Sequence, residues 1–201
     1  MLERITRRER SDLLVAWIAI SIAFSLIFVR GGATIEAFLV FLLVSMLTVG
    51  IGFILHEMAH KFTAMRYGFW AEFRKDNIML LVAVAMAALV GVVFAAPGAT
   101  VIYGTSITRE QNGKISAAGP AVNLLLCGVF ALLALSGGTL ASPLVALVGA
   151  VGLQVNAMIA AFNMLPVSVL DGRKILAWNP AVFAVMIVAA FGILVGTYLL
   201  P

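Results

Sequence analysis

The only two histidines of this 201-residue chain lie four positions apart, in the run His56-Glu57-Met58-Ala59-His60. Residues i and i+4 share one face of a helix a turn apart, so two imidazoles spaced this way can hold one zinc ion at about 2.0–2.1 Å each. Glu57 adjoins His56 and lies near the same face, where a carboxylate can take a proton from a water activated by the metal. The flanking residues are apolar, and an ionisable group at bilayer depth marks a functional site by default.

A catalytic zinc needs a third protein ligand and an open position. Asp171 is the only acidic residue after Glu110, and it closes the stretch Asn163-Met-Leu-Pro-Val-Ser-Val-Leu-Asp171-Gly172. Pro166 should bend or end the helix before it, and Gly172 lets the backbone turn. Unwound chain at membrane depth is tolerated only inside protein or along a wet cavity, which is where a third ligand belongs. The bland reading of Asp171 is a helix cap or a partner of Arg173. Glu72 and Asp76, the rival ligands, sit among Arg74 and Lys75 and are expected in solvent.

The elements that must carry these residues are membrane helices. The chain is 63% hydrophobic and 11% charged, against about 25% charged in a soluble domain. Apolar runs cover about 13–29, 35 to beyond 60, 78–96, 117–135, 143–165 and 180–200, lengths that span or nearly span a bilayer. The expected fold is an all-α polytopic membrane bundle of five to six transmembrane segments, forming one integral membrane domain over 1–201 with a catalytic core at about 35–175. The first run follows a basic start but no A-x-A site, so it reads as an uncleaved span. The segment 98–116 is rich in β-branched residues and contains Asn112-Gly113, which predicts an extended or β-hairpin element. The net charge of +4 does not point to nucleic acid. Cys127 is the single cysteine and reads as a small core residue, so no disulfide within the chain is possible.

HEMAH joined to Asn163-x-x-Pro166-x-x-x-x-Asp171-Gly172 resembles the site-2 protease family of intramembrane zinc metalloproteases, over roughly residues 50–175. Gly119-Pro-Ala-Val-Asn123 resembles that family's looser third motif. The resemblance implies hydrolysis of peptide bonds in membrane-spanning protein substrates, one zinc ion on His56, His60 and Asp171, and Glu57 as general base. It implies that Asn123 helps hold the substrate or the oxyanion, with Gly119, Asn163, Pro166 and Gly172 in support. The chain departs from the family in lacking a PDZ-like domain and in carrying the extra run 78–96. The alternative class is a zinc-stabilised membrane scaffold or metal carrier, for which neither a fourth ligand nor a polar path is evident.

Topology follows from parity and charge. His60 and Asp171 both lie near segment ends followed by basic residues, so an even number of crossings must separate them. The runs 117–135 and 143–165 supply two, and 78–96 must then enter and return on one side. That arrangement puts every basic residue except Arg30 on the cytoplasmic side, as the positive-inside rule prefers. The expectation is five full spans in the cell membrane of a prokaryote, with the N-terminus inside and the metal nearer the cytoplasm. The segment 100–116 would present an edge to which the substrate adds as a strand.

Overall fold

The structure is a computed structural model and describes residues 4–30, 34–93, 97–104, 106–139, 142–167 and 169–199. The order is α1 (Arg7–Phe28), α2 (Ile35–Ser45), a π-turn (Met46–Gly50), α3 (Ile51–Arg66), β1 (Trp70–Lys75), α4 (Asn77–Leu89), β2 (Gly98–Tyr103), α5 (Arg109–Thr139), α6 (Pro143–Asn163), α7 (Asp171–Trp178) and α8 (Pro180–Leu199). Among the described residues, five helical stretches are long and apolar enough to cross a bilayer: Arg7–Phe28, Ile35–Arg66, Arg109–Gly137, Pro143–Asn163 and Pro180–Leu199. The chain is therefore a helical membrane protein with, among the described residues, one small two-stranded sheet. Helix α5 packs against α3, α6 and α7, and α6 packs in turn on α8. This puts α5 between the two segments that carry the ligand candidates.

The π-turn lies within the second span, six residues before His56. A wide turn frees a carbonyl and shifts the register of all that follows. Here the Met46 carbonyl accepts from the Trp17 indole N–H at 3.0 Å. Gly50 makes the approach possible, because a Cβ there would overlap the indole.

Strands β1 and β2 pair antiparallel, from Trp70 opposite Tyr103 to Lys75 opposite Gly98. Asp76 N–H donates to the Pro97 carbonyl at 3.0 Å, so the segment between them leaves and rejoins the sheet at one point. Its helix, α4, has 13 residues, about 20 Å at 1.5 Å per residue, and packs along α1. At its far end the Leu89 carbonyl accepts from Arg30 Nη2 at 2.9 Å. Both ends of the run expected at 78–96 thus lie at the sheet, and its helix stops at Leu89; residues 94–96 lie outside the described residues.

The extended element is narrower than expected and has a different partner. Among the described residues of that segment the strand is Gly98–Tyr103, paired with β1 rather than folded on itself, and Asn112-Gly113 lies inside α5. The reason is a capping box: Gln111 N–H donates to Thr108 Oγ1 at 3.1 Å, and Thr108 N–H donates to Gln111 Oε1 at 3.0 Å. This reciprocal pairing starts a helix before the Asn-Gly pair can turn. Asp76 is an N-cap, its Oδ1 accepting from Ile78 and Met79. Glu72 is 6% exposed and pairs with Arg74, so it is buried rather than solvated.

A buried ion pair fastens the metal helix to its neighbours. Lys61, directly after His60, and Glu9 of α1 are both 0% exposed and in contact. Glu9 Oε1 also accepts from the Phe73 N–H of β1 at 2.9 Å. One carboxylate therefore links the start of α1, the end of α3 and the sheet.

Candidate metal centre

His56 and His60 face α5 from one side of α3. Their Nε2 atoms are 3.0 Å apart. Asp171, the first residue of α7, places Oδ2 at 3.4 Å from His56 Nε2 and 3.1 Å from His60 Nε2. All three residues are buried. Three ligands of a tetrahedral ion at about 2.0–2.1 Å stand about 3.3–3.4 Å apart, so the observed triangle is close to that of a bound ion.

The hydrogen bonds behind the rings decide which nitrogens are bare. His56 Nδ1 lies 2.6 Å from Asn123 Oδ1, and His60 Nδ1 lies 2.8 Å from the Ile115 carbonyl. Both partners are acceptors, so both Nδ1 atoms carry the proton and donate it. In the neutral rings each Nε2 then presents a lone pair, and the two lone pairs meet each other and a carboxylate oxygen. Three electron pairs converging in a buried site suit a cation held among them. An imidazole whose far nitrogen donates to a fixed acceptor is the usual support of a metal ligand.

Local sequence explains the placement. Gly119 of α5 lies under the histidines, and a Cβ there would overlap the Nε2 atoms of both. Its lack of a side chain leaves the space that an ion would fill. Pro120 follows and removes the helical bond to the Ser116 carbonyl, in the same part of α5 that presents Ile115 to His60. Helix α6 ends at Asn163, and Pro166 cannot extend it. Gly172 lies against the end of α6, where a Cβ would overlap the Met164 carbonyl. That close approach sets α7 with its first residue, Asp171, at the histidines.

Glu57 is in the same cavity but outside the ligand triangle. Its Oε2 accepts from the Thr100 N–H at 2.9 Å and the Thr100 hydroxyl at 2.8 Å. Among the described residues the cluster of metal-ligating side chains is His56, His60 and Asp171, three ligands with a position left over. The cavity measures about 400 Å³ and is walled by apolar side chains from α1 and α8, including Phe24 and Phe191.

A curated protein of Methanocaldococcus jannaschii bearing the name "Putative zinc metalloprotease" is 38% identical over 183 residues, 91% of this chain and 91% of that protein. The chain belongs to the same zinc metalloprotease family. No family model matches the chain, and no solved structure matches it. Family membership and the His-His-Asp cluster together support zinc as the ion.

The remaining sequence candidates fall at different distances from this centre. Asn123 is 0% exposed, and both ends of its amide are engaged. Oδ1 meets His56, while Nδ2 donates to Asn156 Oδ1 at 2.9 Å and the Gly52 carbonyl at 3.3 Å. The structure thus places Asn123 behind a ligand, where it orients His56. Asn163 lines the cavity and donates to the Ile159 carbonyl at 3.0 Å. Sequence reasoning missed Thr100, Ile115 and Asn156. A backbone carbonyl carries no sequence signal, and a lone Thr or Asn in an apolar run reads equally well as an interhelical hydrogen bond.

Proposed function

We propose that the chain is an intramembrane zinc metalloprotease of the site-2 type that hydrolyses peptide bonds of membrane-embedded protein substrates. One observation carries the reading: three converging lone-pair atoms with the Glu57 carboxylate beside them but outside their triangle, inside a bundle of membrane helices. A single zinc held by His56, His60 and Asp171 would supply Lewis acidity for the scissile carbonyl and lower the pKa of water toward 7. Glu57 takes the proton of the attacking water on its carboxylate as the oxygen adds to the carbonyl carbon. It returns that proton to the amide nitrogen as the C–N bond breaks, leaving a carboxylic acid and an amine. Asn123 and the Ile115 carbonyl hold the imidazoles so that their Nε2 atoms face the ion. The apolar walls admit a membrane segment and limit bulk water.

A helical substrate must open before its peptide bond can be reached. The free edge of β2 lies on the cavity through Gly98, Thr100 and Ile102, which supports strand addition there. Proline at the edge-facing Ile102 tests it, and cleavage unchanged by that substitution would rule strand addition out. Arg30 marks the outer side and the other basic residues the cytoplasmic side, so the N-terminus is inside and the zinc nearer the cytoplasm, in a prokaryotic cell membrane.

The test is cleavage of a single-span protein substrate by detergent-purified protein, wild type against Glu57→Gln, with zinc measured in both. Activity in wild type, its loss in the variant and equal zinc support the protease. Equal zinc with equal cleavage in both proteins would exclude Glu57 as the base. Zinc that only supports folding, with no cleavage across varied substrates, would favour the scaffold or carrier.

A further inference from the structure

Thr100 lies within β2, opposite Phe73. In an antiparallel pair the backbone groups of successive residues point alternately toward and away from the partner strand. Phe73 N–H turns away from β2, to Glu9 Oε1 at 2.9 Å, and Thr100 N–H turns away from β1, to Glu57 Oε2 at 2.9 Å. The Phe73–Thr100 pair is therefore the kind without mutual hydrogen bonds, and Gly98 and Ile102 share the free edge with Thr100. Glu57 Oε2 occupies the place at that edge where a third strand would put a carbonyl oxygen. The Thr100 hydroxyl adds a second donor to the same oxygen at 2.8 Å. Oε1 has no protein partner among the described residues.

We propose that Thr100 is the positioning residue for the catalytic carboxylate and that, by occupying its own edge donor, it sets the register of the substrate strand. This rests on Glu57 being the base. Two donors on one oxygen fix the plane of the carboxylate and leave the other oxygen for water. A substrate strand added along β2 can pair with the backbone of Ile102 but finds the Thr100 N–H already taken. Its ladder ends there, so the chain departs from the sheet at Glu57, where its peptide bond is exposed to attack.

The test compares kcat and KM on a single-span substrate for wild type, Thr100→Val, Thr100→Ala, Thr100→Ser and Glu57→Gln, with zinc content measured for each. Val keeps the β-branched shape that suits a strand, and Ala removes the hydroxyl without adding an apolar branch. Losing a hydrogen bond to a charged group corresponds to roughly a 10- to 100-fold change. The expected result is a fall of about that size in kcat for Val and Ala, KM within about twofold, unchanged zinc, and recovery to within about threefold of wild type for Ser. Full kcat in Val and Ala, or equal impairment in Ser, overturns the assignment, as does an effect confined to KM. If Glu57→Gln cleaves like wild type, the reading of Glu57 fails first and Thr100 loses its task with it. If Glu57→Gln is inactive while Thr100→Val keeps full kcat, the Thr100 assignment alone fails.

Discussion

Asn123 tests whether its amide serves the ligand or the substrate. Asn123→Ala removes the acceptor 2.6 Å from His56 Nδ1 and strands that donor in a site where Asn123 itself is 0% exposed. Leaving a buried polar group unsatisfied costs about 1–3 kcal/mol. If that cost falls on the ring orientation needed for binding, zinc affinity drops about 5- to 150-fold at 1.4 kcal/mol per tenfold. This overlaps the 10- to 100-fold typical for groups that support metal ligands. Asn123→Asp keeps an acceptor for His56 and should retain more of the affinity than Ala, despite losing the donor to Asn156. The assay is competition for zinc against a chromophoric chelator in detergent, with activity then measured at saturating zinc. A fall in affinity, with activity largely restored at saturation, is expected. Wild-type affinity in Asn123→Ala together with lost activity would refute the orienting role and restore the role in substrate or oxyanion binding that the family resemblance implied.

Other predictions follow from the same contacts. Gly119→Ala should leave the helices folded by circular dichroism but cut bound zinc to below about a tenth, because its Cβ overlaps both Nε2 atoms where the ion must sit; stoichiometric zinc in this variant would contradict the site. Lys61→Met should destabilise the protein by about 3–5 kcal/mol by leaving Glu9 buried without its cation, and adding Glu9→Gln should recover much of that loss. Unfolding in mixed micelles measures both, and a double variant no better than the single would show that the pair is not coupled. Removing zinc with a chelator should lower thermal stability, by about 4 kcal/mol relative to protein in zinc at 1,000 times the dissociation constant; an unchanged melting temperature would refute coupling of metal to fold.

The cluster of His56, His60 and Asp171 was legible because its signals are local or singular. His56 and His60 are an i, i+4 pair, and Asp171 is the only late acidic residue in the chain. Parity led to the expectation that the segment after β1 returns, and the contact of Asp76 with Pro97 at the sheet agrees with it. What supports the ligands was not legible. Thr100 meets Glu57 across 43 positions, and Asn123 meets His56 across 67; such contacts are set by packing, not by nearby residues. Lys61 reads as a charge at a helix end, and only the fold shows that Glu9 of α1 arrives to neutralise it. The extended element near 98–116 is present as Gly98–Tyr103, and its end was readable too, because Thr108-Arg-Glu-Gln111 is a capping-box pattern that starts a helix before the Asn112-Gly113 pair.

The most direct measurement is zinc stoichiometry of the purified chain combined with X-ray absorption at the zinc edge. The expected result is one zinc per chain, bound by two imidazoles and oxygen at about 2.0–2.1 Å with no sulfur, and lost in Asp171→Ala. A sulfur neighbour, zinc retained undiminished in Asp171→Ala, or no zinc at all would contradict it.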